Sequence, residues 1–116
     1  MTKAIFIDVE KKEVSYIELA EPKEIAKQIG CEYFCCPVTL ENNDTIYVDD
    51  ESLLFPDKIQ GGFAFAGWNY PLVGNAIILG ANDEGDSIDC KTTIEEIKSI
   101  ITFLSKNSIY HIFQNI

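Results

Sequence analysis

At 116 residues the chain is long enough for one domain with a substantial core and too short for two. Hydrophobic residues make up 47% and charged residues 24%, ordinary proportions for a soluble globular fold. Nineteen carboxylates stand against nine lysines and no arginine, for a formal charge of −10. That charge repels a phosphate backbone, and no guanidinium fork is present to grip phosphate, so direct nucleic-acid binding is not expected. A basic protein partner would be attracted instead.

Met1-Thr2-Lys3 leads into an apolar run far shorter than a signal-peptide core. Nor does any stretch approach the ~20 apolar residues of a membrane span. A cytoplasmic location with no membrane partner is expected, in which Cys31, Cys35, Cys36 and Cys90 read as reduced thiols.

Residues 3–9 join Ile, Phe and Val with little polar interruption and predict a strand buried on both faces. After the charged turn Glu10-Lys11-Lys12, residues 13–19 predict a second strand. Val14 and Tyr16 share one of its faces, Ile17 and Leu19 the other, and the two strands form a hairpin. Residues 21–29 carry a helical period through Ile25, Ala26 and Ile29, with Pro22 in the first turn and Gly30 at the C-cap. Residues 32–40 predict a strand whose Pro37 demands an edge or a bulge. Residues 45–48 complete a second hairpin with it across Glu41-Asn42-Asn43-Asp44. Asp49-Asp50-Glu51 suits the positive end of one helical turn, stopped by Pro56.

Residues 59–67 alternate Phe63 and Phe65 with Ala64 and Ala66, a strand with one small face that admits close backbone approach. Residues 75–80 predict a sixth strand. Thr92 with Glu95 reads as a capping box opening a final helix, whose apolar stripe is Ile94, Ile97, Ile101 and Leu104, widened by Ile100 and Phe103. The tail 108–116 is too apolar to hang in water and is expected to pack as a strand or short helix, or to meet a partner.

Ala4-Ile5-Phe6-Ile7-Asp8, Ile29-Gly30, Glu32 to Pro37, Tyr47-Val48-Asp49-Asp50-Glu51 and Val73 to Gly80 with Asp83-Glu84-Gly85 follow one another in an order that resembles a family of small uncharacterised domains. That family belongs to bacteria, phages and other mobile elements and is known only as a domain of unknown function. The resemblance covers roughly residues 3–90. It departs at Gly61-Gly62-Phe63-Ala64-Phe65-Ala66-Gly67-Trp68, where the family pattern carries a polar loop with Asn or Arg, and in the longer C-terminal helix and tail. It implies a fold type and a mobile-element or gut-bacterial setting, and no catalytic residues.

The sequence offers little to catalysis. The cysteines lack paired metal-knuckle spacing, and on a strand Cys35 and Cys36 point to opposite faces, so they read as core hydrophobes. Asn82 to Asp89 gathers acids around Gly85 without the alternation of a calcium loop. His111 has no nucleophile elbow to serve, and the glycines match no phosphate-binding fingerprint. No enzyme activity, cofactor or metal is expected.

Two surfaces remain. Phe63, Phe65, Trp68 and Tyr70 form the densest aromatic group, and Asp83, Glu84 and Asp86 an acidic lobe. Trp and Tyr are favoured interface anchors.

The expected fold is α+β: a single domain with a mostly antiparallel or mixed sheet of five to six strands, a short helix after the second strand and a C-terminal helix on one face. The expected function is a non-catalytic protein-interaction module, in its sharpest form an inhibitor of a nucleic-acid-binding protein by phosphate mimicry. The alternative is a small-molecule-binding module built on the Gly/aromatic strands.

Overall fold

The computed structural model describes residues 2–21, 24–49, 59–66 and 71–114. Its elements run β1 (Thr2–Asp8), β2 (Glu13–Leu19), α1 (Glu24–Ile29), β3 (Phe34–Thr39), β4 (Thr45–Asp49), β5 (Gly61–Phe65), β6 (Leu72–Val73), β7 (Ala76–Ala81), β8 (Ser87–Ile88), α2 (Ile94–Ile100), β9 (Ile101–Ser105) and α3 (Lys106–Gln114). The larger sheet has the order β2-β1-β7-β4-β3, with β8 also on β7; the smaller has the order β6-β5-β9. Every pairing among these strands is antiparallel. The class is α+β, as the sequence predicts.

The period-two alternation of the central strands decides the layering. Ile5 and Ile7 of β1, Ile46 and Val48 of β4, and Ala76 and Ile78 of β7 point into one core, where Phe63 and Leu72 of the smaller sheet meet them. Ala4, Ile77 and Leu79 point the opposite way, onto Ile25 and Ile29 of α1. The far face of the smaller sheet is covered in turn: Ile109 of α3 packs with Ile59, Val73 and Leu104. The layers therefore stack as α1, larger sheet, smaller sheet, α3, and β1 is buried on both faces as its apolar run predicts.

The small face expected around residues 59–67 is the one that receives α3. A Cβ on Gly62 would collide with the Leu72 carbonyl oxygen and lie 2.8 Å from Ile109 Cδ1. Only glycine lets β6 and α3 approach this closely. On the other face of β5, Phe63 is 0% exposed, a burial that contributes about 2–3 kcal/mol.

The edge strands bear out the reading of proline. β3 lies at the end of the sheet, and its pairing with β4 shifts register between Cys35 and Val38, across Pro37. At the opposite edge, Val14 packs into the inter-sheet core and Leu19 onto the α1 side, which confirms the two faces expected of β2.

The C-terminal third differs from expectation. The helix expected from Thr92 through Leu104 ends at Ile100, and Ile101–Ser105 forms β9, paired with β5 from Phe65↔Ile101 to Gly61↔Ser105. A β-branched and aromatic run, Ile100-Ile101-Thr102-Phe103, fits a pleated surface better than a helix once a partner strand is available. The cap sits one residue later than expected. Thr93 Oγ1 accepts from Glu96 N at 3.1 Å, whereas Thr92 turns inward to Asp44. The described part of the tail lies in α3, with Ser105 Oγ accepting from Ser108 N at 3.1 Å across its first turn. The helical turn expected after Asp49 falls outside the described residues.

Candidate functional site

The aromatic group splits. Phe63 is buried between the sheets and Phe65 is half-buried against the same core, so both serve packing. Trp68 and Tyr70 lie outside the described residues. Asp83, Glu84 and Asp86 are exposed at the tip of the β7–β8 hairpin. That tip is organised by Asn82, whose Oδ1 accepts from Glu84 N and Asp86 N, each at 2.9 Å, while Gly85 takes φ 86°. The acidic residues are thus the tip of an Asx-type turn. Among the described residues, Phe63 and Phe65 belong to the smaller sheet and Asp83, Glu84 and Asp86 to the β7–β8 hairpin of the larger.

The cysteines also divide. Cys90 is buried as expected, Cys31 and Cys35 are half-buried, and Cys36 is exposed, because the bulged edge strand turns it out of the core. All four are free thiols. Burial first, then the negative charge of Asp49 and the neighbouring Cys35, pushes the Cys31 thiol up to about 11. Burial likewise raises Cys90, with Asp44 adding to it. Neither is poised as a nucleophile, since the thiolate is the reactive form. Among the described residues, no group of three or more His, Cys, Asp or Glu side chains could hold a metal ion.

What the fold does assemble is a cleft of about 280 Å³ at one end of the larger sheet. Val9 and Glu10 reach it from the end of β1, and Asp49 from the end of β4. The C-terminus of α1 contributes Ile29 and Cys31, followed by Glu32 and Tyr33; Gly74 and Asn75 close it from the β6–β7 turn. Two local features hold these pieces together. Gly30, at φ 85°, ends α1 as the expected C-cap and turns the chain toward β3, its N–H donating to Ala26 O at 2.9 Å. Asn75 Oδ1 accepts from Val9 N at 2.9 Å, tying the turn before β7 to the end of β1.

Among the described residues, the charged side chains that line this cleft have one sign. Its described lining includes Glu10, Glu32 and Asp49 and no lysine. Tyr33, 60% exposed, stands beside them. The neutral Cys31 thiol adds no charge of its own. Such a lining favours a cation, and an exposed aromatic ring adds a face on which a lysine or arginine head group can rest. Sequence reasoning did not single these residues out, since Glu10, Glu32 and Asp49 come from three separate turns and strand ends. The one local signal was Gly30 at the end of a short helix.

A second structural centre is polar and buried. Asp44, 0% exposed at the start of β4, accepts from Lys91 N at 2.9 Å, Thr92 N at 2.7 Å and Thr92 Oγ1 at 2.6 Å. Asn42 Nδ2 donates to Thr92 Oγ1 at 3.0 Å. A carboxylate this deep is tolerable because its oxygens are satisfied by backbone and hydroxyl donors. It staples the β3–β4 turn to the segment entering α2, which is a structural task.

No described helix is long and apolar enough to cross a membrane. No family model, curated protein or solved structure matches the chain at a significant level.

Proposed function

We propose that the chain is a non-catalytic protein-interaction module that receives a basic partner. The observation that carries this reading is the cleft in which Glu10, Glu32 and Asp49 converge beside the exposed Tyr33. The formal charge of −10 extends the same preference over the whole molecule and speeds encounter with positively charged surfaces. In its sharpest form the partner is a nucleic-acid-binding protein whose basic groove takes these carboxylates in place of phosphates. The mobile-element setting implied by the family resemblance supports that form.

Immobilised protein is expected to retain basic nucleic-acid-binding proteins at about 50 mM salt and release them by about 500 mM, because contacts between exposed charges are screened. Duplex DNA should compete for the captured protein. An E10K/E32K double variant should lose most of the capture while keeping its fold, both residues being exposed. Capture that ignores salt, or none at all, would sink the reading.

Small-molecule binding draws on the same cleft, whose volume lies just under the range usual for ligand pockets. In the Gly/aromatic strands expected to line such a pocket, Gly62 and Phe63 face the chain's own side chains. Thermal-shift screening against nucleotides and metabolites separates the two readings, because a ligand raises the melting temperature by mass action and a missing partner protein does not.

A further inference from the structure

The larger sheet ends in two edges that the chain finishes differently. β3 carries Pro37 and a register shift, both of which blunt an edge against further pairing. β2 has neither. It pairs residue for residue with β1 from Asp8↔Glu13 to Thr2↔Leu19, and among the described residues no strand pairs with its outer side. An edge of this length, about 23 Å at 3.3 Å per residue, presents backbone donors and acceptors at the spacing a further strand needs.

The side chains of β2 restrict what can be added. Glu13, Ser15, Tyr16 and Glu18 are exposed and Ile17 half-buried. A second copy is a poor match. Antiparallel self-pairing centred on Tyr16 sets Glu13 against Leu19 and Glu18 against Val14, with no charge compensated. It would also join two chains of charge −10. A basic segment is a good match. Glu13 and Glu18 lie five residues apart and so project from opposite faces of the strand, available to two cations on one extended chain.

Between them, Tyr16 is already held. Its hydroxyl accepts from Ile94 N at 3.2 Å, and Lys3 Nζ sits 5.0 Å from its ring centroid, so the ring is ordered before any partner arrives. An aromatic side chain fixed in advance is the sort that anchors an interface, since its ordering cost falls outside the binding step.

We propose that the outer edge of β2 docks an extended basic segment of another protein. The segment adds to the larger sheet by backbone pairing, with Lys or Arg against Glu13 and Glu18 and an apolar side chain against Tyr16. This rests on the reading of a basic partner and names a second contact for it, apart from the cleft.

The test is a titration of ¹⁵N-labelled protein with the capped peptide Thr-Lys-Thr-Val-Thr-Val-Lys, and with a control in which both lysines are glutamates. The first peptide should shift the amides of residues 13–19 and slow, at least tenfold, the hydrogen exchange of those alternate amides that point away from β1. The control should bind at least tenfold more weakly. The E13K/E18K variant should lose the effect and the milder E13Q/E18Q variant should weaken it, with unchanged dispersion in β7 as the check on folding. Shifts confined to Glu10, Glu32 and Asp49 would overturn the edge assignment and leave the basic-partner reading standing. No shifts anywhere would count against both. Concentration-dependent dimerisation through residues 13–19, seen by sedimentation, would replace the proposed partner with a second copy and overturn the proposal.

Discussion

At one margin of the larger sheet β2 meets its neighbour through seven paired residues in unbroken register; at the other, β3 meets β4 through four, split by a bulge. The regular strand draws its hold from pairing and from both faces, with Val14 buried in one core and Leu19 in the other. The irregular one depends on its turn, where the carboxylate of Asp44 anchors Lys91 and Thr92 from the segment entering α2. The contrast separates two jobs. An edge can be closed to partners by proline and a bulge if a buried polar cluster makes good the lost ladder. An edge left regular keeps its ladder and stays open to addition.

The largest way to break this contrast is to remove the anchor. D44A leaves the Lys91 and Thr92 amides and the Thr92 hydroxyl without their acceptor in a buried setting. The expected loss is about 3 kcal/mol in urea unfolding. D44N, which keeps one carbonyl acceptor, should lose less. Native-state hydrogen exchange gives the sharper reading: protection should fall first in β3 and residues 91–94, while β2 keeps its own. Equal loss across both edges would show that the two are not held independently.

Most of the larger sheet was legible because its cues are local. The apolar run of β1, the charged turn after it, Gly30 at the end of α1 and Pro37 in β3 each act within a few residues. The C-terminal third was not. Ile97, Ile101 and Leu104 are spaced as a helical stripe, yet Ile101 and Leu104 lie in β9, whose register is set by Gly61–Phe65 some forty positions earlier in the chain. A short run that satisfies both periods is decided by its tertiary partner. Thr92 fits the local pattern of a cap, yet its hydroxyl bonds to Asp44, 48 positions away. The cleft was hidden for the same reason. Glu10, Glu32 and Asp49 look like ordinary turn and strand-end acids until the sheet order sets β1 and β4 on either side of β7. The aromatic signal is ambiguous by its nature, since an alternating Phe63/Phe65 strand beside glycines describes an inter-sheet core, where these two residues lie, as well as it describes a groove.

A smaller effect tests how firmly the open edge is braced. Y16F deletes the acceptor that meets Ile94 N while keeping the ring. Because Tyr16 is 43% exposed, water replaces part of that bond, and the expected cost is about 0.5–1 kcal/mol. If Tyr16 also anchors a docked segment, Y16A should weaken peptide binding severalfold more than Y16F, since the ring and not the hydroxyl makes the contact. Equal weakening by the two would mean that the brace to α2, rather than the ring, is what the partner needs.

The last effect concerns the other margin, is nil at neutral pH and shows only at high pH. Burial and the charge of Asp49 hold the Cys31 thiol up at about 11, against ~8.5 for an unstrained thiol in the unfolded chain. The sign follows from which state releases its proton first. Below pH ~8.5 both states are protonated and the contribution is fully present. As the pH rises toward 11 the unfolded chain ionises ahead of the folded one, and stability is lost. Cys90 and Tyr47 are raised as well, chiefly by burial, and push in the same direction. The urea midpoint should therefore stay level through neutral pH as far as these groups are concerned, then decline above pH ~8.5. C31A should decline less steeply than the parent protein over the same interval. The alkylation rates give a parallel reading at pH 8: the exposed Cys36 should react with iodoacetamide first, Cys31 well behind it and the buried Cys90 last. If C31A and the parent lose stability along the same slope, the Cys31 thiol is not held up in the folded chain, and neither its burial nor the Asp49 charge acts on it as inferred.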